Sequence, residues 1–204
     1  MARIAYGRTD IQARQRLIDE LWCLLEVEPF RKVTISQLAE RAQCNRATFY
    51  YHYEDSGDLL QKALEQELVF SAGAISALSD LASEGGTLCW NIADHPRLVL
   101  AFKQVDRAIL SEKLQNFLIR LWTLVLCREG EEIKPDAVVV ISFLVEGMLG
   151  AHSRAQAIGA QDGCKLVLDL VSQGVREIGE MHGATGAELS ARLRMAERVW
   201  SSLD

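Results

Sequence analysis

The residues in this chain best equipped for chemistry crowd into "CNRATFYYHYEDSGDLL", residues 44 to 60. Phe49 to Tyr53 form an unbroken row of rings, set among Asn45, Arg46, Thr48 and several acids. A core segment is rarely so polar, and a solvated loop rarely carries so many rings. On a helix beginning at Asn45, Phe49 and Tyr53 stand four apart and share a face. They are expected to pack inward, on Leu38 and on the first helix. Arg46, Ala47, Thr48, Tyr50, Tyr51 and His52 are left over the remaining surface. An arginine such as Arg46 can give paired hydrogen bonds to a guanine edge, and the Thr48 methyl can touch thymine. Ala47 is small enough to let the helix backbone approach bases. Tyr50 and His52 end rigid arms in a donor, which suits phosphate oxygens and sets register without reading sequence.

Such a helix needs a platform, and the preceding residues supply one. "TISQ" at 34–37 has the pattern of a capping box, in which Thr34 and Gln37 satisfy each other's orphan N–H groups. Ile35, Leu38, Ala39 and Ala42 then recur at helical spacing as a narrow apolar stripe. A break at Gln43-Cys44 follows, and Asn45 caps the next short helix. Two short helices joined by a tight break are the helix-turn-helix arrangement. Its second helix enters the major groove of DNA while the first crosses the backbone. The capped start at Thr34 adds backbone N–H groups that favour phosphate. A tight helical corner with core aromatics, without any role in binding, fits the same pattern.

The remaining elements also read as helices. Residues 9 to 27 place Leu17, Ile18, Leu21, Leu24 and Leu25 on one face, with Thr9 or Asp10 as cap. Pro29 ends that helix. A helix from Ser56 or Asp58 is expected to run to about Leu81. Breaks at 83–86, 94–96 and 128–135 divide the later segments. The segment 136–158 is apolar nearly all round, as a helix buried on several sides would be. In 163–180, Val167, Leu170, Val171, Gly174, Val175 and Ile178 form a stripe, and Gly147, Gly150 and Gly174 would permit close helix approach. "GATG" at 183–186 precedes a last amphipathic piece carrying Leu189, Leu193, Val199 and Trp200. The expected fold is all-α.

Over roughly residues 10 to 65 the sequence resembles the TetR family of bacterial transcriptional regulators. The resemblance is carried by "TISQLAERAQCNRATFYYHYEDSGDLL": a Thr-capped helix, a short break, a T-[LF]-Y-x-[HY]-[FY] helix and a following Leu pair. It implies a three-helix helix-turn-helix head at 1–55 and a larger helical ligand-binding and dimerising domain at 56–204. Thr34 would hold phosphate, Asn45, Arg46, Thr48 and Tyr51 would face bases or nearby sugar-phosphate, and Tyr50 and His52 would grip the backbone. The resemblance further implies a ligand-responsive repressor that binds a near-palindromic, double-stranded operator as a homodimer. Helices 136–158 and 163–180 would pair with their two-fold mates, placing the heads roughly 34–36 Å apart. A small-molecule effector would change that spacing, a coupling of about 1–3 kcal/mol. Trp90, Phe102, Trp122 and Phe143 are the rings available to line its pocket, and ordinary core is the plainer use of each. Two positions depart from the family: Gln43-Cys44 stand where Gly-Val is common, and Ser56 stands where Lys is common. Losing that cation removes one phosphate contact and about one unit of salt dependence.

Composition bounds the alternatives. The chain has 204 residues and a net charge of −6, which argues against bulk affinity for nucleic acid. The charge is unevenly placed. Residues 1 to 53 hold eight Arg/Lys against six Asp/Glu, and the remainder fourteen against twenty-two. Cysteines at 23, 44, 89, 127 and 164 form no C-x-x-C pair and are odd in number, as expected of reduced thiols in the cytoplasm. No secretory leader is read in the first residues. The apolar run 137–151, broken by Glu146, is too short to span a bilayer. His95 is expected at a helix start, His182 in solvent, and "EGEE" at 129–132 in a solvated loop. Glu146 and His152 do not share a helical face. Thiol redox control at Cys44 would require a lowered pKa. No nucleophile–base spacing, phosphate loop or metal-ligand cluster appears, so neither catalysis nor a cofactor is expected. Two other classes remain open: a small-molecule-binding or enzymatic all-α protein whose head no longer binds DNA, and a helical adaptor that binds protein.

Overall fold

A computed structural model of the chain describes residues 2–71, 73–83, 94–158 and 163–200. The architecture is all-α, with no strand among the described residues. The helices are α1 (Ala2–Leu25), α2 (Ile35–Arg41), α3 (Arg46–His52), α4 (Ser56–Gln66), α5 (Ala74–Ala82), α6 (Pro96–Gln104), α7 (Arg107–Leu126), α8 (Pro135–Ile158), α9 (Gly163–Met181) and α10 (Gly186–Trp200). A 3₁₀ turn occupies Phe30–Lys32 and a π turn Glu67–Ser71.

Packing gathers the chain into two compact units. One is Met1–Glu67 with Ile92–Leu110, and the other is Leu68–Asn91 with Ser111–Asp204. In the first, α1 is the central element and packs on α2, α3, α4 and α6. It buries Leu17, Ile18, Leu21, Trp22, Leu24 and Leu25. The expected face is all there, with Trp22 added. This unit continues past position 55 to take in α4 and α6. Arg97 of α6 lies over the Trp22 ring at 5.7 Å, reaches Asp19 at 3.4 Å and Glu67 at 3.7 Å, and so ties α6 to α1 and the end of α4.

In the second unit α10 packs on α5 and α9, and α8 packs on α9. Leu189 and Leu193 of α10 are buried. The hydroxyls of Ser79, Ser83 and Ser190 bond one another, with Arg194 Nε donating to Ser79 at 3.1 Å. Gly174 permits the α8–α9 approach, because a Cβ there would stand 2.8 Å from the Leu144 side chain. Gly147, by contrast, faces open space.

Several elements differ from expectation. The first helix starts at Ala2, so Thr9 and Asp10 lie within it and do not cap it. The helix expected from 56 to 81 is interrupted by the π turn and by Gly73, whose φ of +59° is left-handed. Helix α8 is not buried on several sides: Ala137, Ile141, Leu144, Val145 and Leu149 face inward, whereas Val139 is 66% exposed. The stretch 135–154 has a mean hydropathy of 1.4. It is the one helix among the described residues long and apolar enough to cross a membrane, since it extends beyond the run 137–151 that alone is too short. His182 is not simply solvated. Its Nε2 accepts from the Lys134 N–H at 3.3 Å, and its Nδ1 lies 2.9 Å from the Ile178 carbonyl oxygen.

Candidate nucleic-acid interface

Helices α2 and α3 form a corner whose geometry follows from side chains at its ends. Thr34 accepts from the Gln37 N–H at 3.3 Å, and the Gln37 side chain accepts from the Thr34 N–H at 2.9 Å. The expected capping box is therefore complete. Gln37 Nε2 also donates to Glu28 at 3.1 Å, fixing α2 to the loop before it. At the other end of α2, the Gln43 N–H bonds Glu40 O at 3.1 Å and the Cys44 N–H bonds Ala39 O at 2.9 Å. These are the two bonds of a Schellman motif, which needs a left-handed residue between them. Gln43 takes that conformation with φ +52°. The turn that glycine usually makes is here made by glutamine.

Asn45 then opens α3. Its side-chain oxygen accepts from the Thr48 N–H at 2.7 Å and from the Thr48 hydroxyl at 3.0 Å. The helix is anchored by one face: Phe49 is fully buried, Tyr53 is nearly so, and the Tyr53 hydroxyl donates to the Arg14 carbonyl of α1 at 3.3 Å. The opposite face carries Arg46, Ala47, Tyr50 and Tyr51, all exposed. Tyr51 is 74% exposed and Tyr50 51%, which no core role would leave standing. The Tyr50 ring meets Phe49 edge-on at 5.6 Å, so its direction is set from below. Arg46 leans on the same ring at 6.0 Å from its centroid, with Nη2 3.5 Å from the Tyr50 hydroxyl.

The candidate residues thus separate into groups. Asn45, Arg46, Tyr50 and Tyr51 are exposed at the start and outer face of α3, and Thr34 is exposed at the start of α2. Thr48 and His52, one turn apart, are half-buried on the flank. The Asn45 and Thr48 oxygens are engaged in the cap, so what Asn45 has left to offer outward is its amide N–H₂.

The start of α4 is acidic. Asp55 is its cap and accepts from the Asp58 N–H at 2.8 Å, while Asp58 accepts from the Glu54 N–H at 3.2 Å. Cys44 is half-buried, and burial pushes its thiol above the usual value, with Arg16 opposing. That is the wrong direction for a reactive thiolate.

Trp122 is buried in α7 within the second unit, and Phe102 is half-buried on α6 in the first. Phe143 is 68% exposed on α8. Trp90 lies outside the described residues. Arg31 and Lys32, both exposed on the 3₁₀ turn before Thr34, escaped the sequence reading, since periodicity says nothing about which cations stay uncommitted. No family model matches the chain, and no curated protein matches it.

Proposed function

We propose that the chain is a TetR-like transcriptional regulator, a ligand-responsive repressor that binds a near-palindromic operator as a homodimer and catalyses nothing. One observation carries the reading: a capped two-turn helix pinned by Phe49 and Tyr53 on one side, with Arg46, Ala47, Tyr50 and Tyr51 bare on the other. An exposed guanidinium and two phenols on a rigid rod of about 10 Å suit a major groove about 12 Å wide. Dimerisation is supported by Val139 and Phe143 on α8 and Leu170 on α9, all at least half exposed. Gly147 on α8 adds no side chain that would hold a partner away. Val139 and Phe143 stand one helical turn apart, and grouped exposed apolar side chains mark association sites.

The acids at the start of α4 favour a second reading, in which the head has lost DNA and the helical body binds or transforms a small molecule. Selection from a random-sequence duplex pool separates the two. Enrichment of one near-palindromic site supports the regulator, and failure to enrich any sequence over several rounds supports the alternative.

A further inference from the structure

We infer that Arg31 and Lys32 are the phosphate-gripping cations of the head, an inference that rests on the DNA-binding reading above and adds residues to it. Phosphate contacts fix the register of a protein on a duplex without reading its sequence, and they are made chiefly by Arg and Lys. Among the described side chains of the first compact unit, most cations other than Arg31, Lys32 and the exposed Lys103 of α6 are already committed. Arg16 Nε donates to the Ala42 carbonyl at 3.0 Å. Arg41 is bonded to Glu20 at 2.9 Å, and that bond raises its pKa further. Lys62 pairs with Glu65 at 3.3 Å. Arg97 is shared between Asp19 and Glu67, and Arg14 is not free either. Arg46 rests on Tyr50 at the base-reading face.

Arg31 and Lys32 differ from all of these. Both are exposed, and neither pairs with a described residue. Their position is nonetheless firm. Phe30 and Val33 on either side are buried, and the turn is closed by Lys32 N–H to Pro29 O at 2.9 Å and Val33 N–H to Phe30 O at 3.0 Å. The nearest carboxylate in sequence, Glu28, is occupied by Gln37. Two free cations therefore sit on a rigid pedestal within about 11 Å of Thr34 along the chain. The start of α4, where Ser56 replaces a cation, instead presents Glu54, Asp55 and Asp58, so phosphate must be held elsewhere.

The test measures salt dependence. Wild type and the double variant Arg31→Gln/Lys32→Gln are titrated by anisotropy onto a labelled pool of random-sequence 30-base-pair duplexes, between about 50 and 200 mM salt. The double variant is expected to lose about 0.9 in the slope of log K against log salt for each contact removed. Its preference in duplex selection stays that of wild type. Exchange of the two residues, Arg31→Lys/Lys32→Arg, is expected to keep the slope, and so is Arg41→Gln, where Glu20 already holds the cation. An unchanged slope in the double variant, with wild type still binding, overturns the inference and leaves the regulator standing. An equal loss in Arg41→Gln overturns it too, because bulk charge would then be the cause. Failure of wild type to bind any duplex overturns both.

Discussion

Gln43 is held in a conformation that suits it poorly. Its φ of +52° puts Cβ against the following carbonyl, a cost of about 1–2 kcal/mol for an L-residue that glycine escapes. Gln43→Gly is therefore expected to raise stability by about 1 kcal/mol after the extra unfolded-chain entropy of glycine is offset. An increase in the urea midpoint at constant m-value checks it, and a decrease would show that the Gln43 side chain is itself stabilising. Six residues on, the anchoring of α3 is tested by Phe49→Ala. Phe49 is fully buried, so truncation is expected to cost about 3–5 kcal/mol and to loosen α3 from α1. At this scale much was legible. Thr34, Gln37, Asn45, Phe49 and Tyr53 announce their roles because capping and i, i+4 packing are local. Exposure of Phe143 was not legible, since a ring at helical spacing reads alike whether its own chain or a partner covers it.

At the scale of elements, short polar signals fixed the well-formed boundaries. α9 ends in a Schellman motif with Gly183 at φ +73°, and Thr185 and Glu188 then form a second capping box before α10. Hydrogen bonds from the Thr185 N–H and hydroxyl hold the Glu188 carboxyl below its ordinary value. The ionised form is thus favoured by folding. Its contribution is complete above the ordinary value of 4.5 and is lost as pH falls through the depressed one. Glu188→Ala should accordingly melt below wild type at pH 7, with the gap closing in acid. A gap independent of pH would assign the effect to helix propensity instead. The break between α4 and α5 was not legible. "QELVFSAGA" holds no proline and a single glycine, and glycine inside a helical pattern is often tolerated. The early start of α1 was missed for the opposite reason: Thr9 and Asp10 look like caps, but the helix already runs through them.

For the whole molecule, the all-α class was legible from periodicity, whereas the gathering of α4 and α6 into the first compact unit was not. α6 lies far along the chain from α1, and Arg97, Trp22, Asp19 and Glu67 unite them through contacts that no sequence spacing displays. Association is expected to use the exposed apolar residues of α8 and α9. Val139→Lys with Phe143→Lys should leave helicity unchanged and halve the mass seen by sedimentation. Unaltered mass in that variant would move the interface elsewhere.

The most direct measurement is the affinity of wild type, Arg46→Ala and Tyr50→Ala for one duplex selected by the wild-type protein, alongside a scrambled duplex of equal length. Arg46→Ala is expected to lose about 1–3 kcal/mol of discrimination between the two. Tyr50→Ala is expected to weaken both complexes, with the helical spectrum of each variant intact. Equal affinity of all three proteins for both duplexes would contradict the assignment of the outer face of α3 to DNA.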